Sequence, residues 1–310
     1  MKSSIVVVGS SNTDMVIKAG HLPAPGETIL GGSFFMTQGG KGANQAVAAA
    51  RLNGRVTFIA KIGADVFGKQ SLQVYNNEGI DTKYISTDEN SPSGVALINV
   101  DDNGENCIAV APGANGTLSV ADISKAKVSL ENASIILMQL EIPLETVNYV
   151  SQLAESNNVK LVLNPAPACP LPDHLLKKIS VITPNKKEAE MLTGIEITGN
   201  NSAKEAAKIL AAKGIETVII TMGAEGALIF HDNNFEVVPV SKVKAVDTTA
   251  AGDVFNGALV VAISEGRDMI QAVQFANAAA AISVTRLGAQ ASAPRRSEAD
   301  ALMESNRIKA

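Results

Sequence analysis

The chain has 310 residues, of which 46% are hydrophobic, and this is enough for one large α/β domain with a sizeable core. The net charge is −5 and the lysines and arginines are scattered, which argues against a nucleic-acid-binding surface. No segment reaches the roughly 18 consecutive apolar residues of a membrane span, and the amino-terminal apolar run is too short for a signal peptide. Cys107 and Cys169 lie far apart without metal-type spacing, so we expect reduced thiols in a cytoplasmic protein.

Short β-branched runs alternate with alanine-rich helical stretches along the chain. The runs that predict strands are Ser4–Val8, Val56–Ala60, Ile135–Leu140, Leu161–Leu163, Val181–Thr183 and Val218–Thr221. Helical patterns lie between them at Asn44–Leu52, Leu144–Ser156, Ala203–Lys213 and Met269–Thr285. Runs that are apolar on both faces are typical of buried parallel strands. The sequence therefore predicts a doubly wound, three-layer α/β sandwich with a mostly parallel central sheet.

Two regions interrupt this alternation. Glu27–Gln38 has an extended character, and Gly94–Val110 contains two alternating runs that flank Asn103-Gly104, a strong hairpin signal. We expect a single domain, residues 1–310, with an inserted small β-sheet formed by about 12–38 and 92–113. A small sheet over the open end of a larger one serves as a lid or as an oligomer surface, and the two uses are compatible.

Polar residues or glycines follow five of the predicted strands. They are Asn12 and Asp14, Glu141, Asn164, Asn185 and Glu188, and Gly223 and Gly226. Each has an ordinary explanation as a helix cap or a turn residue. Ligands of open parallel sheets bind beyond the carboxyl ends of the strands, so the five together predict a ligand site at that edge.

The segment 39–44, GGKGAN, places a glycine cluster before a predicted helix. It is not a Walker A loop, since no serine or threonine follows the lysine, and Gln45 stands where a dinucleotide fingerprint has a glycine. The first strand also ends without G-x-G-x-x-G, which argues against a Rossmann dehydrogenase. Such a cluster is commonly just a tight turn. Here small residues continue into the helix, at Ala43, Ala46 and 48–50, so its backbone can come close to a ligand while Lys41 and Asn44 offer hydrogen-bond donors.

The segment 246–259, VDTTAAGDVFNGAL, leads directly into an apolar helix. Ala250, Ala251 and Gly252 lack bulk, so the free N–H groups of the helix start are open to an anion. Asp253 on the same turn would repel that anion unless it accepts a proton from a hydroxyl while the N–H groups hold a transferred phosphoryl group. The alternative is that Asp253 only complements the helix dipole, and this segment alone does not decide between the two.

The segments 39–54 and 247–259, GGKGANQAVAAARLNG and DTTAAGDVFNGAL, are long and specific signatures. With them the chain resembles the ribokinase-like sugar kinases, also called the phosphofructokinase-B family, over essentially its whole length. The resemblance implies ATP-dependent phosphorylation of D-ribose at the 5-hydroxyl, giving D-ribose 5-phosphate and ADP. Two alternatives remain: another sugar or nucleoside kinase of the family, and a non-catalytic sugar sensor.

The resemblance also assigns roles to individual residues. Asp253 would be the catalytic base, and Ala250, Ala251 and Gly252 would form the anion hole for the γ-phosphate. The sugar ligands would be Asn12, Asp14, Gly40, Lys41, Asn44, Glu141 and Asp253. The nucleotide, with its Mg²⁺ and phosphates, would meet Asn185, Glu188, Thr221, Gly223, Gly226, Gly252 and Asn277. Glu225 would stand near the triphosphate, and we expect it to point to solvent.

A monovalent cation and a dimer follow from the same resemblance. A K⁺ ion would be bound by the Asp247 carboxylate, the Ser292 hydroxyl and backbone carbonyls of Thr249, Ser283, Arg286 and Gly288. These are oxygen donors, which a hard cation requires. The alternative for Asp247 is a loop cap that accepts backbone N–H bonds. The lids of two subunits would pack together into a homodimer.

Overall fold

The structure is a computed structural model that describes the backbone of residues 4–309 and the side chains of residues 4–305, so the extreme ends of the predicted domain lie outside it. The strands are β1 Ser4–Val8, β2 Asn12–Lys18, β3 Ser33–Gly39, β4 Arg55–Gly63, β5 Asp81–Asp88, β6 Gly94–Val100, β7 Asn106–Ala111, β8 Ile135–Met138, β9 Lys160–Leu163, β10 Val181–Ile182, β11 Thr217–Thr221, β12 Ala227–His231 and β13 Asn234–Val238. The helices are α1 Lys41–Arg51, α2 Val66–Asn77, α3 Val120–Lys125, α4 Lys127–Glu131, α5 Leu144–Ser156, α6 Asp173–Leu176, α7 Lys186–Thr193, α8 Asn200–Ala212, α9 Ala251–Ser264, α10 Met269–Ser283 and α11 Arg296–Lys309.

The main sheet has the strand order β13-β12-β11-β10-β9-β8-β1-β4-β5. Neighbours from β11 to β5 are parallel, and β12 and β13 add an antiparallel edge. Along β1, Ile5 and Val7 pack into one core while Val6 and Val8 pack into the other. The first core lies under α1, α9 and α10 and the second under α5 and α8. The predicted three-layer sandwich with a mostly parallel sheet is confirmed.

A separate small sheet has the order β3-β2-β6-β7, in which β2 and β6 pair in parallel. Its strands lie within 12–39 and 94–111, and its use as a lid stays a prediction. The hairpin between β6 and β7 turns at the predicted place, where Gly104 has a φ of 83° and donates its N–H to the Asp101 carbonyl. The predicted extended stretch 27–38 is wrong in its first half, because Gly31 and Gly32 adopt φ values of 108° and 92° and the strand begins only at Ser33.

The topology brings five parallel strands, β11, β10, β9, β8 and β1, side by side with their carboxyl ends at one edge. The chain leaves β1 at this edge and, after three intervening residues, enters the small sheet at the start of β2. The small sheet therefore begins where the strand-end residues converge. In the part of the chain that the structure describes, no helix combines the length and apolar character needed to cross a membrane.

Candidate active site

A cavity of about 160 Å³ opens at the carboxyl ends of the central strands. It is lined by Lys41, Asn164, Ala166, Thr183, Asn185, Glu188, Thr221, Thr248, Ala250, Ala251, Gly252, Asp253 and Asn256. Residues from six separate elements thus meet in one place, as the strand-end pattern predicts. Most of the lining groups are polar or too small to fill the space, which suits a polar ligand.

Asp253 is the buried carboxylate of this cavity. It lies in the first turn of α9, and only 6% of its surface is exposed. Its two oxygens accept from Asn44 Nδ2 and Gln45 Nε2, each at 2.9 Å. Burial raises the pKa of Asp253, whereas the nearby Lys41 ammonium and the two amide donors oppose that rise. The result is a fixed carboxyl group with an elevated pKa, which is the property of a general base.

The turn before α9 is held in an uncommon backbone conformation. Ala250, the residue at the helix N-cap, has a φ of 57°, a left-handed geometry that a non-glycine residue adopts at a cost of roughly 1–2 kcal/mol. The following helix start directs N–H groups into the cavity. The N–H of Ala251, however, donates to the Thr248 carbonyl at 3.2 Å. Its predicted use by a phosphoryl group requires a small rearrangement of that turn.

On the lid side of Asp253 lies a second carboxylate, Asp14 of β2. Burial and the neighbouring charges of Glu141 and Asp253 raise the pKa of Asp14 to about 7, against the opposing effect of Lys41. Gly39, its near neighbour on β3, makes room for it: a Cβ there would lie 2.2 Å from each carboxylate oxygen. The fold therefore buries the Asp14 carboxyl group at a place where its ionised form is disfavoured.

Glu141, which follows β8, fixes the entry to α1. Its Oε2 accepts from Ser10 Oγ at 2.5 Å and from the backbone N–H of Lys41 at 3.0 Å. Asn12 is held by the lid base, since its Oδ1 accepts from Asn115 Nδ2 at 2.7 Å. Gly40 lies directly before α1 as its N-cap. Of the predicted sugar ligands, Lys41 and Asp253 line the cavity and Asn44 donates to Asp253, whereas Asn12, Asp14, Gly40 and Glu141 are not among the lining residues.

The site is rich in carboxylates and has one ammonium group among them. Burial disfavours the charged form of Lys41, but the carboxylates outweigh that effect and its pKa is raised. Burial also raises the pKa of Glu188, which Lys41 opposes. The carboxylates that act on Lys41 are Asp253, Glu141, Glu188 and Asp14. An anionic ligand entering here gains from Lys41 and requires a further cation to offset the acidic groups.

Asn185 and Glu188 form the capping box of α7. Asn185 Oδ1 accepts from the Glu188 N–H, and Glu188 Oε2 accepts from the Asn185 N–H, both at 2.9 Å. Both residues line the cavity, so they combine a structural role with access to a ligand. The described residues contain no group of three or more His, Cys, Asp or Glu side chains arranged to hold a metal. Any Mg²⁺ here has to share its coordination with phosphate oxygens and water, as is usual for this ion.

The predicted nucleotide residues are only partly brought together. Thr221 lines the cavity, and Gly223 and Gly226 lie in the turn that follows it. Asn277 on α10 is not among the lining residues; its Nδ2 donates to the carbonyls of Val238 and Pro239. That contact ties α10 to the end of β13, so a role at the adenine stays a prediction.

Glu225 also lies in the turn after β11. Its side chain is 54% exposed, as expected, and its carboxylate forms an ion pair with Lys186. This pairing reduces its repulsion of a nearby anion.

The segment before α9 contacts the segment after α10. Asp247 accepts the backbone N–H groups of Thr249 at 2.9 Å and of Gly288 at 2.8 Å, so the capping interaction considered for it is formed. Burial opposes ionisation, but these hydrogen bonds and the charge of Lys18 lower the pKa of Asp247. An ionised carboxylate therefore lies between the two loops. Of the other predicted cation ligands, Thr249, Arg286, Gly288 and Ser292 belong to the same two segments and Ser283 is the last residue of α10.

Several lining residues had not been assigned a role from the sequence. Thr183 Oγ1 donates to Asn256 Oδ1 at 2.6 Å, and Asn256 Nδ2 donates to the Gly252 carbonyl at 2.8 Å. Asn164 Oδ1 accepts from Gln45 Nε2 at 3.1 Å. Asn164 could be found from the sequence because it follows a predicted strand. Asn256 lies inside α9, and only its position three residues after Asp253 could have indicated a role in the site.

Comparison with known proteins agrees with this geometry. The model of the "pfkB family carbohydrate kinase" family matches residues 2–296. A ribokinase of Haemophilus influenzae is 46% identical over 298 residues, covering 96% of this chain and 97% of the relative. A deoxyribokinase of Salmonella typhi is 38% identical over 291 residues, covering 94% and 95%. The structure of Arabidopsis thaliana ribokinase complexed with ribose and ATP has a TM-score of 0.91 at 30% identity, covering 98% of this chain and 99% of that chain.

Proposed function

The chain belongs to the pfkB family of carbohydrate kinases, and from that premise we propose that it phosphorylates D-ribose with ATP. The product is D-ribose 5-phosphate, with ADP released. Near-full-length similarity to a ribokinase and to a ribokinase structure with ribose and ATP supports this activity. The observation that carries it is the buried Asp253 at the start of α9, which lines the cavity and accepts from the predicted sugar ligand Asn44.

The proposed chemistry divides the site into two halves. Asp14, Asn44 and Glu141 hold the sugar hydroxyls, because carboxylates and amides suit vicinal diols. Asp253 takes the proton of the sugar 5-hydroxyl as the 5-oxygen attacks the γ-phosphorus of ATP. The bond between that phosphorus and the β,γ-bridging oxygen breaks, and ADP leaves. Helix N–H groups of α9 and the Lys41 ammonium stabilise charge on the transferred phosphoryl group.

Mg²⁺ is the expected companion of the nucleotide. Asn185 and Glu188 offer oxygen atoms at the cavity wall, and an acidic site needs a cation when a triphosphate enters. When bound, the ion neutralises phosphate charge and orients the γ-phosphoryl group. The chain's own contribution is the α7 capping box, which holds the Glu188 carboxylate in place before the nucleotide arrives.

A K⁺ ion is proposed as an activator beside the turn at 248–252. The ionised Asp247 carboxylate and the Ser292 hydroxyl would bind it with carbonyls of Thr249, Ser283, Arg286 and Gly288. The contact between Gly288 and Asp247 supports this, because it brings the two ligand-bearing segments together. The ion would not touch the sugar; it would order the turn so that the Ala251 N–H is free to face a phosphoryl group.

A homodimer through the small sheet is proposed as well. The face of that sheet opposite Asp14 carries exposed apolar side chains, Ile17, Phe34, Met36 and Leu97, each 44–59% exposed. They are contiguous through cross-strand pairing, and such patches on soluble proteins mark interaction surfaces. A second copy packed there would bury them. A cytoplasmic location stays a prediction.

One alternative substrate has specific support. The similarity to a deoxyribokinase covers most of both chains, so 2-deoxy-D-ribose is the second candidate substrate. A nucleoside kinase and a non-catalytic sugar sensor are the remaining alternatives. The presence of Asp253, Asn185 and Glu188 argues against the sensor, which needs none of these groups.

A coupled ADP-release assay separates these functions. The protein would be given ATP and Mg²⁺ with D-ribose, 2-deoxy-D-ribose, other pentoses or a set of nucleosides. We expect the highest kcat/KM with D-ribose. A higher kcat/KM with 2-deoxyribose or with a nucleoside would reassign the substrate, and ribose binding without turnover would indicate a sensor.

A further inference from the structure

Two buried glutamines link the main sheet to the carboxylate of Asp253. Gln45 lies on α1 and Gln139 directly follows β8, and neither has exposed surface. Gln139 Nε2 donates to Gln45 Oε1 at 2.6 Å, and Gln45 Nε2 donates to Asp253 Oδ1 at 2.9 Å. The two amides therefore form a chain that ends at the candidate base.

The hydrogen bonds of the Gln45 amide determine which way it faces. In the observed orientation the Gln45 nitrogen lies between two acceptors, Asp253 Oδ1 and Asn164 Oδ1, while its oxygen faces a donor on Gln139. Turning the Gln45 amide over would place its oxygen against the carboxylate and its nitrogen against the Gln139 nitrogen. Because both side chains are fully buried, this would lose hydrogen bonds and add repulsion. The Asp253 carboxylate, which can only accept, fixes this orientation, and Gln139 stabilises it by donating to Gln45 Oε1.

The fold accommodates Gln139 at a cost. A Cβ on Gly9, the residue after β1, would lie 2.1 Å from Gln139 Oε1, so a side chain there would displace the amide. Within residues 4–305, Gln139 Oε1 has no hydrogen-bond partner and is buried, which carries a free-energy penalty. An apolar side chain at this core position would avoid that penalty. The hydrogen bond that Gln139 donates is what the fold gains in return.

We propose that Gln139 is a positioning residue that acts through Gln45 to hold the general base Asp253. The inference rests on the proposed function, since it assigns a role within that reaction. Asn44 holds the other oxygen of Asp253, but it is also a candidate sugar ligand. Gln45 is not a candidate sugar ligand, so its contact with the carboxylate serves positioning alone. Small errors in the position of a base are costly to the rate, so its orientation requires such support.

The same contact influences protonation of the base. Burial raises the pKa of Asp253, and the donor Gln45 is among the groups that lower it. The charged groups that face this carboxylate are Lys41, Glu141, Asp14 and Glu188. None of these is changed by substituting Gln139. Since the ionised form is the active base, weakening the Gln45 contact moves the acidic limb of the kcat profile to higher pH.

The test compares Gln139→Met, Gln45→Met and the double variant, since methionine keeps length and apolar bulk but removes the amide. We expect each single change to lower kcat by about 10- to 100-fold with ribose KM altered much less, and to move the acidic limb upward in pH. The double variant should be no slower than Gln45→Met, because Gln139 acts through Gln45. Thr146→Val removes another buried hydrogen bond, to the Leu118 carbonyl, and should lower thermal stability without changing kcat or its pH profile.

A folded Gln139→Met protein with the kcat and pH profile of the wild type would overturn the inference. Independent, additive losses in the double variant would do the same. If the methionine variant does not fold, Gln139→Leu also removes the amide donor without adding a charge and carries the same expectation. Failure of the wild-type protein to phosphorylate ribose would count against the proposed function instead, and the variants would then be compared on the sugar that it does phosphorylate.

Discussion

Replacing Asp14 by asparagine should stabilise the protein while it abolishes tight ribose binding. The carboxyl group is only 9% exposed, and burial beside Glu141 and Asp253 raises its pKa from 3.8 to about 7. At about 1.4 kcal/mol per pKa unit, this corresponds to a penalty of roughly 4 kcal/mol for the ionised form in the folded, ligand-free protein. Asparagine removes the charge but still buries an amide, so we expect a net gain of about 1–3 kcal/mol.

The size of this stability gain depends on pH. Below the unfolded pKa of 3.8 the group is protonated in both states and makes no difference. Between 3.8 and about 7 the folded state keeps a proton that the unfolded state has lost, so stability falls as pH rises. Above about 7 the full penalty is present. The gain from Asp14→Asn should therefore be near zero at about pH 4 and largest at about pH 8.

Urea denaturation across this pH range measures the gain, and calorimetric titration with ribose measures the lost affinity. Asp122 provides a matched control, because it is also 9% exposed but has a lowered pKa. Burial alone would raise that pKa, but hydrogen bonds from Ser119, Lys61 and Lys125 outweigh it. Asp122→Asn should therefore destabilise the protein at neutral pH, with less effect as pH falls. If Asp14→Asn gave no gain at about pH 8 relative to about pH 4, the reasoning from burial and charge would be wrong.

Two further predictions concern the cation and the dimer. Initial rates of phosphorylation should rise strongly with KCl and little with NaCl or a bulky organic cation at matched ionic strength. Asp247→Ala should leave a low rate that does not depend on K⁺. Equal wild-type rates in all three salts would mean that Asp247 only caps the loop. Leu97→Lys places a charge on the apolar face of the small sheet and should convert a dimer into monomers in sedimentation velocity, whereas a dimer that persists would place the interface elsewhere.

The regular core of the fold was predictable from the sequence. β1 and α5 have the predicted bounds residue for residue, because a strand buried on both faces leaves a continuous apolar run and an amphipathic helix leaves a clear period. The segment of β2 falls inside the predicted small sheet, but its strand run was not identified, since it begins with the buried polar residues Asn12, Thr13 and Asp14. Its polar start serves the site and obscures the strand pattern, which is a common conflict at functional positions.

Other elements were missed although a local signal was present. Asp232 and Asn233, between β12 and β13, have φ values of 48° and 61°, which suits the two-residue turn of a hairpin. Two Asx residues between apolar runs are a recognisable sign of such a turn. The left-handed conformation of Ala250 had no such signal, because alanine rarely adopts it and the surrounding contacts impose it.

The candidate site was predictable as a location more than as a network. The strand-end rule placed Glu141, Asn164 and Glu188 at one edge without knowledge of any contact. The positions of Gln45 and Gln139 gave no such indication. Gln45 contacts partners 94 and 208 residues away in the chain, so only the folded structure orients its amide.

The proposed function depends above all on Asp253 as the base that activates the 5-hydroxyl of ribose for attack on ATP. The most direct measurement is ³¹P NMR of the product formed by wild-type protein and by Asp253→Asn, with ribose and nucleotide binding measured calorimetrically on both. We expect phosphate on the 5-oxygen with the wild type, and a rate lower by about 10²–10⁴-fold with Asp253→Asn while both ligands still bind. Phosphate on another oxygen, or an Asp253→Asn protein that keeps more than about a tenth of the wild-type rate, would contradict the assignment.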